Sequence, residues 1–314
     1  MLFTLVLFTY NQEKFIAEAV KAVLHQQCNP IEILITDDNS SDKTFDIVKE
    51  YVKNYKGPHK IILNQNEKNL GLLKQIDIAH QIASGEVIIA AAGDDISLPN
   101  RCQKIIDCFK KENPLLVFSY ANVIDENGNK ASRSFKNSTL YRTKNIYKVA
   151  RSGKLYIGAT AAWHRNLYEK YGPIKEGAYE DLVLGFRAAL EGKYSILNEP
   201  LVTYRLGVGI TSAEKKYADE EDFRKKRLYH FRHRQAVFVQ RRKDALTFGC
   251  SQKSSLIKIL DQRIRMADIG KKYYSEDQNE MRKLFFKYPY LTLRCFLKEV
   301  VKKRQNKKKF GKYQ

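Results

Sequence analysis

The 314-residue chain lacks the features of membrane-spanning, secreted and zinc-thiolate proteins. No stretch approaches the ~18 apolar residues that a membrane-spanning helix needs. Its five cysteines are odd in number and form no CxxC pair, which favours reduced, mostly buried thiols over a disulfide framework. Residues 2–8 are apolar but have neither a basic flank nor a cleavage site, so we expect a first strand and not a signal peptide. These absences favour a cytosolic protein.

Two common phosphate-binding loops are also missing. No GxGxxG sequence follows the first predicted strand, and GxxxxGK[ST] occurs nowhere in the chain. The dinucleotide-binding and P-loop classes therefore lose their main support.

Positive charge, by contrast, is abundant and unevenly distributed. The formal net charge is +21. Residues 213–314 contain 29 Lys and Arg against 12 Asp and Glu, a net of +17, whereas residues 1–212 contain 27 against 23, a net of +4. We therefore expect a near-neutral globular domain over residues 1–212 and a basic region over residues 213–314.

Short apolar runs alternate with helical patterns along the first hundred residues. Strands are predicted at residues 2–8, 31–35, 60–63 and 86–92, and each of the first three is followed by apolar residues at helical spacing. Three consecutive β-α units predict a doubly wound α/β sheet, in which ligands bind beyond the carboxyl ends of the strands.

Polar loops follow three of these strands. Asp94 and Asp95 come directly after the strand at 86–92, and such neighbouring carboxylates repel each other unless they share a cation such as Mg²⁺ or Mn²⁺. The alternative is an acidic turn that caps the next helix. Thr9, Tyr10 and Asn11 can stack on and hydrogen-bond a base. Asp38 can accept the imide N–H of uracil, so these loops predict a nucleotide site with a metal on the diphosphate. 

The ordered set of motifs resembles glycosyltransferase family 2. The matching residues are 8–13 (FTYNQE), 35–44 (ITDDNSSDKT), 69–71 (NLG), 84–86 (SGE), 93–95 (GDD) with Pro99, 180–181 (ED) and 200–205 (PLVTYR). The resemblance covers about residues 1–212. It implies the GT-A fold, a Rossmann-like, mostly parallel sheet flanked by helices, here with a basic, mainly helical C-terminal extension. It also implies an inverting, metal-dependent transfer from a nucleotide sugar, usually a UDP-sugar.

The resemblance assigns the metal to Asp95, with Asp94 assisting. Two departures bear on this assignment. Ala92 stands where the fuller acidic motif of the family has another aspartate, and Gly207 stands where many members have a metal-binding histidine. We therefore expect few protein ligands, supplemented by diphosphate oxygens and water.

The remaining roles also come from the resemblance. Asp181 is the expected general base, and Glu180 is expected either to orient the acceptor or to pair with Arg187 or Arg205, although the pair alone could simply favour the dipole at a helix start. Asn69 and Gly71 are expected at the donor site. Arg205 can neutralise phosphate or pair with a neighbouring carboxylate.

The acceptor side is less defined by the sequence. Trp163 can stack on an acceptor sugar or belong to the core. Residues 133–150 are polar, and we expect them to form a mobile loop over the acceptor.

Helices are expected in the basic region at residues 223–238, 256–269, 281–286 and 291–301. Anionic lipid, nucleic acid and solvent all fit its charge, and nucleic acid is the least favoured partner because no RNA-binding signature accompanies it. The resemblance implies a glycan or lipid-linked acceptor in cell-surface polysaccharide biosynthesis. We therefore expect a cytoplasmic enzyme, peripheral at the inner face of the membrane. The terminal cluster is its expected anchor: Lys302, Lys303, Arg304, Lys307, Lys308 and Lys309.

Two alternatives stay open. A sugar-nucleotide pyrophosphorylase-like enzyme would share the fold, but it needs a Gly-rich basic loop after the first strand, and residues 9–12 (TYNQ) are not one. A nucleic-acid-binding protein would use the basic C-terminal third.

Overall fold

The computed structural model describes residues 1–132, 138–208, 218–275 and 278–310, except for the side chains of Gln278 and residues 305–310. The chain divides into two compact units. The first consists of Met1–Asn145, Lys154–Pro173 and Leu184–Glu214, and the second of Ile146–Gly153, Ile174–Val183 and Lys215–Gln314. The predicted boundary after residue 212 lies within residues 209–217, outside the described residues. Two segments from earlier in the chain join the second unit.

The first unit is built on a mixed sheet. Over the described residues its strands are β1 (Phe3–Thr9), β2 (Glu32–Asp37), β3 (Lys60–Gln65), β4 (Val87–Ala92), β5 (Ile96–Ser97), β6 (Leu116–Ile124), β7 (Ala162–His164) and β8 (Tyr194–Arg205). Their order is β3-β2-β1-β4-β7-β6-β8-β5. Strands β1 to β4 pair in parallel, β7 is antiparallel to both β4 and β6, β6 is parallel to β8, and β5 is antiparallel to β8. The predicted α/β sheet is confirmed.

The described helices are α1 (Ile16–Leu24), α2 (Thr44–Lys53), α3 (Leu72–Ile82), α4 (Arg101–Glu112), α5 (Ile146–Arg151), α6 (Asn166–Glu169), α7 (Glu180–Glu191), α8 (Glu220–Thr247), α9 (Ser255–Tyr274), α10 (Gln278–Lys287) and α11 (Pro289–Phe310). Helices α1 to α3 are the crossovers between the parallel strands. None of the helices in these described ranges is both long enough and apolar enough to cross a membrane.

The core of the first unit explains why its strands are continuous apolar runs. Strands β1 and β2 are buried along their whole length. One cluster joins the sheet to α1 and α4, and it includes Leu5, Leu7, Ile33, Ile35, Ile89, Ile16, Val20, Ile105 and Phe109. Parallel strands covered by helices have no polar face to show in the sequence, which is why these strands are readily predicted.

The second unit is helical, as predicted, but its helices are longer than expected. The expected helix at 223–238 extends over Glu220–Thr247, with Asp219 as its N-cap, because the carboxylate accepts a hydrogen bond from Asp222 N at 2.7 Å. Polar residues fill most of the added turns, so apolar spacing alone underestimates the helix. Its described core includes the cluster of Phe223, Phe231 and Tyr274.

The expected mobile loop at 133–150 is wrong for the residues that the structure describes. Residues 139–141 form a 3-10 turn, and α5 follows shortly afterwards. Leu140, Val149 and Ala150 are buried, which fixes both pieces in place. Residues 133–137 lie outside the described residues.

Candidate active site

The loops after β1, β2 and β4 meet at one edge of the sheet because these strands are neighbours. Asp38 N donates to Thr9 O at 3.0 Å, and Gly93 N donates to Phe8 O at 3.0 Å. Asn11 N donates to Ser40 Oγ at 2.9 Å. The structure thus brings together the three loops that the sequence singled out.

Asp38 is buried in this edge and holds the loop that precedes α3. Its Oδ1 accepts from Asn66 Nδ2 and Leu70 N, both at 2.8 Å, and its Oδ2 accepts from Gly71 N at 2.7 Å. Gly71 has φ of +80°, a conformation that side chains disfavour. Asn69 lies exposed in the same loop. Asp38 therefore positions the expected donor-binding residues, and its role as a uracil acceptor stays a prediction.

Thr9, Tyr10 and Asn11 differ in what they offer to a ligand. The Thr9 hydroxyl is buried and donates to Asp37 Oδ1 at 2.9 Å, so it supports the sheet edge from inside, contrary to the expected base contact. Asn11 is exposed, and its Oδ1 accepts from Ser41 N at 2.9 Å. Tyr10 is half-buried, which leaves part of its ring accessible for stacking.

Asp94 and Asp95 form a buried acidic turn beyond β4. They are 8% and 5% exposed. Burial raises the pKa of the Asp94 carboxyl, and burial together with the adjacent Asp94 raises the pKa of Asp95 well above its usual range. Keeping both carboxylates ionised here requires nearby positive charge.

Arg205, the last residue of β8, supplies part of that charge. Its backbone N donates to Asp95 Oδ1 at 2.8 Å, and its Nε donates to Asp94 O at 3.2 Å. Its Nη2 lies 3.2 Å from Glu18 Oε2, and its guanidinium stands 4.6 Å from the centre of the Phe15 ring. Arg205 as a whole is 3% exposed. The sequence left open whether Arg205 neutralises phosphate or pairs with a carboxylate, and in the structure it pairs with the carboxylate of Glu18.

Three further side chains that the sequence did not single out surround this turn. Glu18 pairs with Arg205, and Gln12 packs so closely on Gly93 that a Cβ there would collide with its Oε1. The fully buried Arg101 donates to Ser97 Oγ at 2.8 Å, and its attraction for Asp95 lowers the pKa of that carboxyl against the effect of burial. Gln12 lies within the matched motif at 8–13, whereas nothing in the sequence distinguishes Arg101 from an exposed arginine.

Asp94 and Asp95 fit a divalent metal ion whose other ligands are mostly diphosphate and water oxygens. Among the residues that the structure describes, no group of three or more His, Cys, Asp or Glu side chains is placed to hold an ion. Asp94 and Asp95 offer hard oxygen ligands, although Oδ1 of Asp95 already accepts from Arg205 N. Carboxylates with diphosphate and water oxygens suit Mg²⁺ or Mn²⁺, which commonly binds through one or two protein carboxylates.

Glu180 and Asp181 belong to the second unit and begin α7. Burial, and then the adjacent Glu180, raise the pKa of Asp181 to about 8. Burial also raises the pKa of Glu180. Asp181 Oδ1 accepts from Leu182 N at 2.8 Å. A carboxyl whose pKa lies near the working pH can both take up and release a proton, which suits a general base.

Arg241 of α8 is a further residue that the sequence did not single out. It is fully buried, and its Nε and Nη2 donate to Leu182 O at 3.0 and 2.8 Å. Its Nη1 donates to Ser152 O at 2.7 Å, just past the end of α5. The charge of Arg241 lowers the pKa of Asp181 and so opposes burial.

Trp163 belongs to the core, the alternative that the sequence left open, and offers no face for stacking on a sugar. The side chain is 2% exposed, on β7 between β4 and β6. Its indole N–H donates to His80 Nε2 at 3.0 Å. Burial and the charge of Arg165 lower the pKa of His80 to about 4, so the imidazole is neutral and accepts this bond.

Comparisons with known proteins agree with this architecture. The chain is 30% identical over 216 residues to an uncharacterised glycosyltransferase of Methanocaldococcus jannaschii, which covers 65% of this chain and 71% of the relative. Residues 1–349 of TarS of S. aureus, in complex with UDP-GlcNAc, align with a TM-score of 0.59 at 18% identity, over 94% of this chain and 79% of that TarS chain. The mannosyltransferase PcManGT of Pyrobaculum calidifontis, in complex with GDP-Man and Mn²⁺, aligns with a TM-score of 0.53 at 16% identity, over 97% and 87% of the two chains.

At these identities the structural neighbours establish the fold alone, and that fold is GT-A, as predicted. The family model of glycosyl transferase family 2 matches residues 4–172, which contain the loops around Asp38, Asp94 and Asp95. This match covers more than half of the sequence. The chain belongs to glycosyl transferase family 2.

Proposed function

We propose that this glycosyltransferase moves a sugar from a UDP-sugar to a hydroxyl group of a glycan or lipid-linked acceptor, with inversion at the anomeric carbon. The observation that carries the proposal is the buried pair Asp94 and Asp95, fixed by Arg205 beside the Asp38 loop. The UDP-GlcNAc bound by TarS and the GDP-Man bound by PcManGT support a nucleotide sugar as donor. The family assignment favours sugar transfer over the pyrophosphorylase alternative.

The donor end of the reaction uses the sheet edge. Tyr10 stacks on the base, Asp38 accepts the uracil N–H, and the loop with Asn69 and Gly71 closes around the nucleotide. Asp38 Oδ2 accepts one backbone N–H, so a carboxylate oxygen can take a second donor without breaking the loop contacts.

A divalent cation, Mn²⁺ or Mg²⁺, would be held by Asp95 with Asp94 assisting, and when bound it neutralises charge on the leaving diphosphate. The Mn²⁺ in PcManGT supports this choice. The protein prepares the position by burying both carboxyls and by pinning one oxygen of Asp95 on Arg205 N.

The acceptor end uses Asp181. Its carboxylate takes the proton of the acceptor hydroxyl while the acceptor oxygen forms a bond to the anomeric carbon. The bond from that carbon to the diphosphate breaks, and the electron pair leaves with UDP. Arg241 favours the ionised form of Asp181, and Glu180 orients the acceptor.

The cellular setting follows from the family and from charge. We place the enzyme in the cytoplasm, peripheral at the inner face of the membrane, where it extends cell-surface polysaccharide, with residues 1–212 as the catalytic domain and 213–314 as the basic helical region. The +17 net charge of that region supports attraction to anionic lipid.

A panel of nucleotide sugars tests the donor. Thermal stabilisation and donor hydrolysis are measured with UDP-, GDP- and dTDP-sugars, each with Mn²⁺. We expect the largest rise in melting temperature with a UDP-sugar, and the same rise in Asp46→Ala, a matched variant that removes an exposed carboxylate from α2. A larger rise with a GDP-sugar would contradict the uracil assignment, and hydrolysis of none of them would contradict the transfer itself.

A further inference from the structure

The last two helices of the second unit carry an exposed apolar stripe. It consists of Phe286 at the end of α10 and of Tyr290, Leu293, Leu297 and Val301 on α11. The spacing of three and four residues places the α11 members on one face of the helix. Phe286 is 92% exposed and Tyr290 is 76% exposed, and the other three are each about half exposed, at 47–54%. Isolated exposed apolar residues are ordinary, but a row of four along one helix face, with an almost fully exposed phenylalanine just before that helix, indicates a binding surface.

The other side of α11 is anchored in the unit, which fixes the stripe outward. Thr292 Oγ1 donates to Leu284 O at 3.1 Å, and Cys295 is buried. Glu299 accepts from Arg227 Nη2 at 2.6 Å and from Tyr274 Oη at 3.0 Å, inside the helical core. The exposure of the stripe therefore follows from how α11 packs.

The charge beside the stripe is of one sign. Lys287, Arg294 and Lys298 are exposed next to it. The acidic residues between 278 and 304 are Glu280 and Glu299. Glu280 lies 2.7 Å from Lys272 Nζ and 2.9 Å from Lys283 Nζ, and Glu299 is buried against Arg227. Two copies of this surface would bring like charges together, so its charge complements an anionic partner and not itself.

We propose that the apolar stripe docks on an anionic lipid bilayer. Phe286, Leu293 and Leu297 enter the boundary between head groups and acyl chains, while Lys287, Arg294 and Lys298 contact lipid phosphates. This deepens the membrane-peripheral part of the proposed function, on which it rests. It also moves the anchor away from the terminal cluster expected from the sequence, of which the side chains of residues 307–309 lie outside the described residues.

Flotation with lipid vesicles tests the surface without any nucleotide or sugar, so its failure is separable from failure of the transfer. The full chain is mixed with phosphatidylcholine vesicles with or without roughly 30% phosphatidylglycerol, which supplies the negative surface charge. We expect binding to the anionic vesicles. The double variant Phe286→Ser/Leu297→Ser should bind at least about tenfold more weakly. The matched variant Tyr229→Ser, which removes an exposed aromatic of α8, should bind like the wild type.

A charge variant separates the two components of the surface. Lys287→Gln/Arg294→Gln/Lys298→Gln should lose about a hundredfold in affinity, since each cation contributes about fivefold, and its preference for phosphatidylglycerol should fall accordingly. Raising the salt concentration should weaken the binding of the wild type more than that of this variant.

A fluorescent reporter shows insertion directly. The chain has one tryptophan, the buried Trp163, so Phe286→Trp adds an exposed reporter over a constant background. Its emission should shift to the blue with anionic vesicles and be quenched by brominated acyl chains. In the matched variant Tyr229→Trp, the emission should not change.

The proposal would be overturned by equal flotation of the wild type and the serine double variant, by a Phe286→Trp emission that the vesicles do not change, or by a dimer in dilute solution that the double variant abolishes. The last would assign the stripe to a second copy of the chain. Salt-sensitive RNA binding without vesicle binding would likewise overturn it.

Discussion

Asp94–Asp95 and Glu180–Asp181 are two pairs of neighbouring carboxyl groups, and an arginine lies beside each pair in a different way. Asp94 and Asp95 lie in the first unit and Glu180 and Asp181 in the second, and burial raises the pKa of all four. Arg205 donates its own backbone N–H to a carboxylate oxygen of Asp95. The hydrogen bonds described for Arg241 go to backbone carbonyls beside Asp181.

This difference suits Asp94 and Asp95 to holding a metal ion, and Glu180 and Asp181 to exchanging a proton. The hydrogen bond from Arg205 N fixes one oxygen of the Asp95 carboxylate, and the other oxygen is the ligand that we propose for a metal ion. An arginine bound to carbonyls acts on Asp181 through its charge, so the carboxyl stays free to exchange a proton. The comparison predicts that the first pair responds to metal and the second to pH.

The largest expected effect comes from removing the proton acceptor. Asp181→Asn keeps the shape of the side chain but cannot take a proton, so kcat should fall by ~10²–10⁴ while UDP affinity stays unchanged. Glu180→Gln is the matched variant and should lose far less. Steady-state kinetics and calorimetry with UDP measure both. Near wild-type kcat in Asp181→Asn with a large loss in Glu180→Gln would assign the base to Glu180.

Removing the metal ligand should lower kcat about 10²-fold, because the negative charge on the leaving diphosphate is no longer neutralised. Asp95→Asn should also shift the Mn²⁺ dependence of turnover to higher concentration. Its melting temperature in EDTA should not fall, since one of two buried like charges is removed. The exposed Asp46→Asn serves as the control. Full activity of Asp95→Asn in excess EDTA would contradict the metal site.

The sequence predicted the sheet edge well because its strands are apolar throughout and its loops are short and polar. The apolar runs around Leu5, Ile33 and Ile89 are typical of buried strands. Because these strands are parallel, the loops that follow them meet at one edge of the sheet. The buried arginines Arg101 and Arg241 could not be found this way. Their hydrogen-bond partners include backbone carbonyl groups of distant segments. Because every residue has such a carbonyl, no residue type in the sequence identifies the partner.

Periodicity also fails to distinguish a buried face from an exposed one. Leu293, Leu297 and Val301 repeat like the apolar residues of a core helix, yet they face outward. Only the packing of the opposite side, through Glu299 and Arg227, decides which row is covered.

A smaller effect is expected at the base pocket. A hydrogen bond to a charged group contributes ~1.5–3 kcal/mol, so Asp38→Ala should weaken UDP binding by about one to two orders of magnitude. Because Asp38 also holds the loop before α3, Asn66→Ala is the matched control, since it removes a loop contact and keeps the carboxylate. If calorimetry shows equal losses in the two variants, Asp38 acts through the loop alone.

The smallest effect tests how Arg241 acts on Asp181. Activity needs the ionised carboxylate, so it should rise with pH through the Asp181 pKa of about 8. Because the charge of Arg241 lowers that pKa, Arg241→Gln should move the rise in kcat to higher pH by roughly half to one unit. Arg241→Lys keeps the charge, so its pH profile should stay near that of the wild type, although both variants should melt earlier after losing carbonyl contacts. The neighbouring Arg242→Gln removes an equal charge from a partly exposed pair with Asp261, so the same rise in kcat should stay in place. If Arg241→Gln lowers the melting temperature but does not shift the pH profile of kcat, Arg241 has a purely structural role. Its charge would then not set the pKa of Asp181.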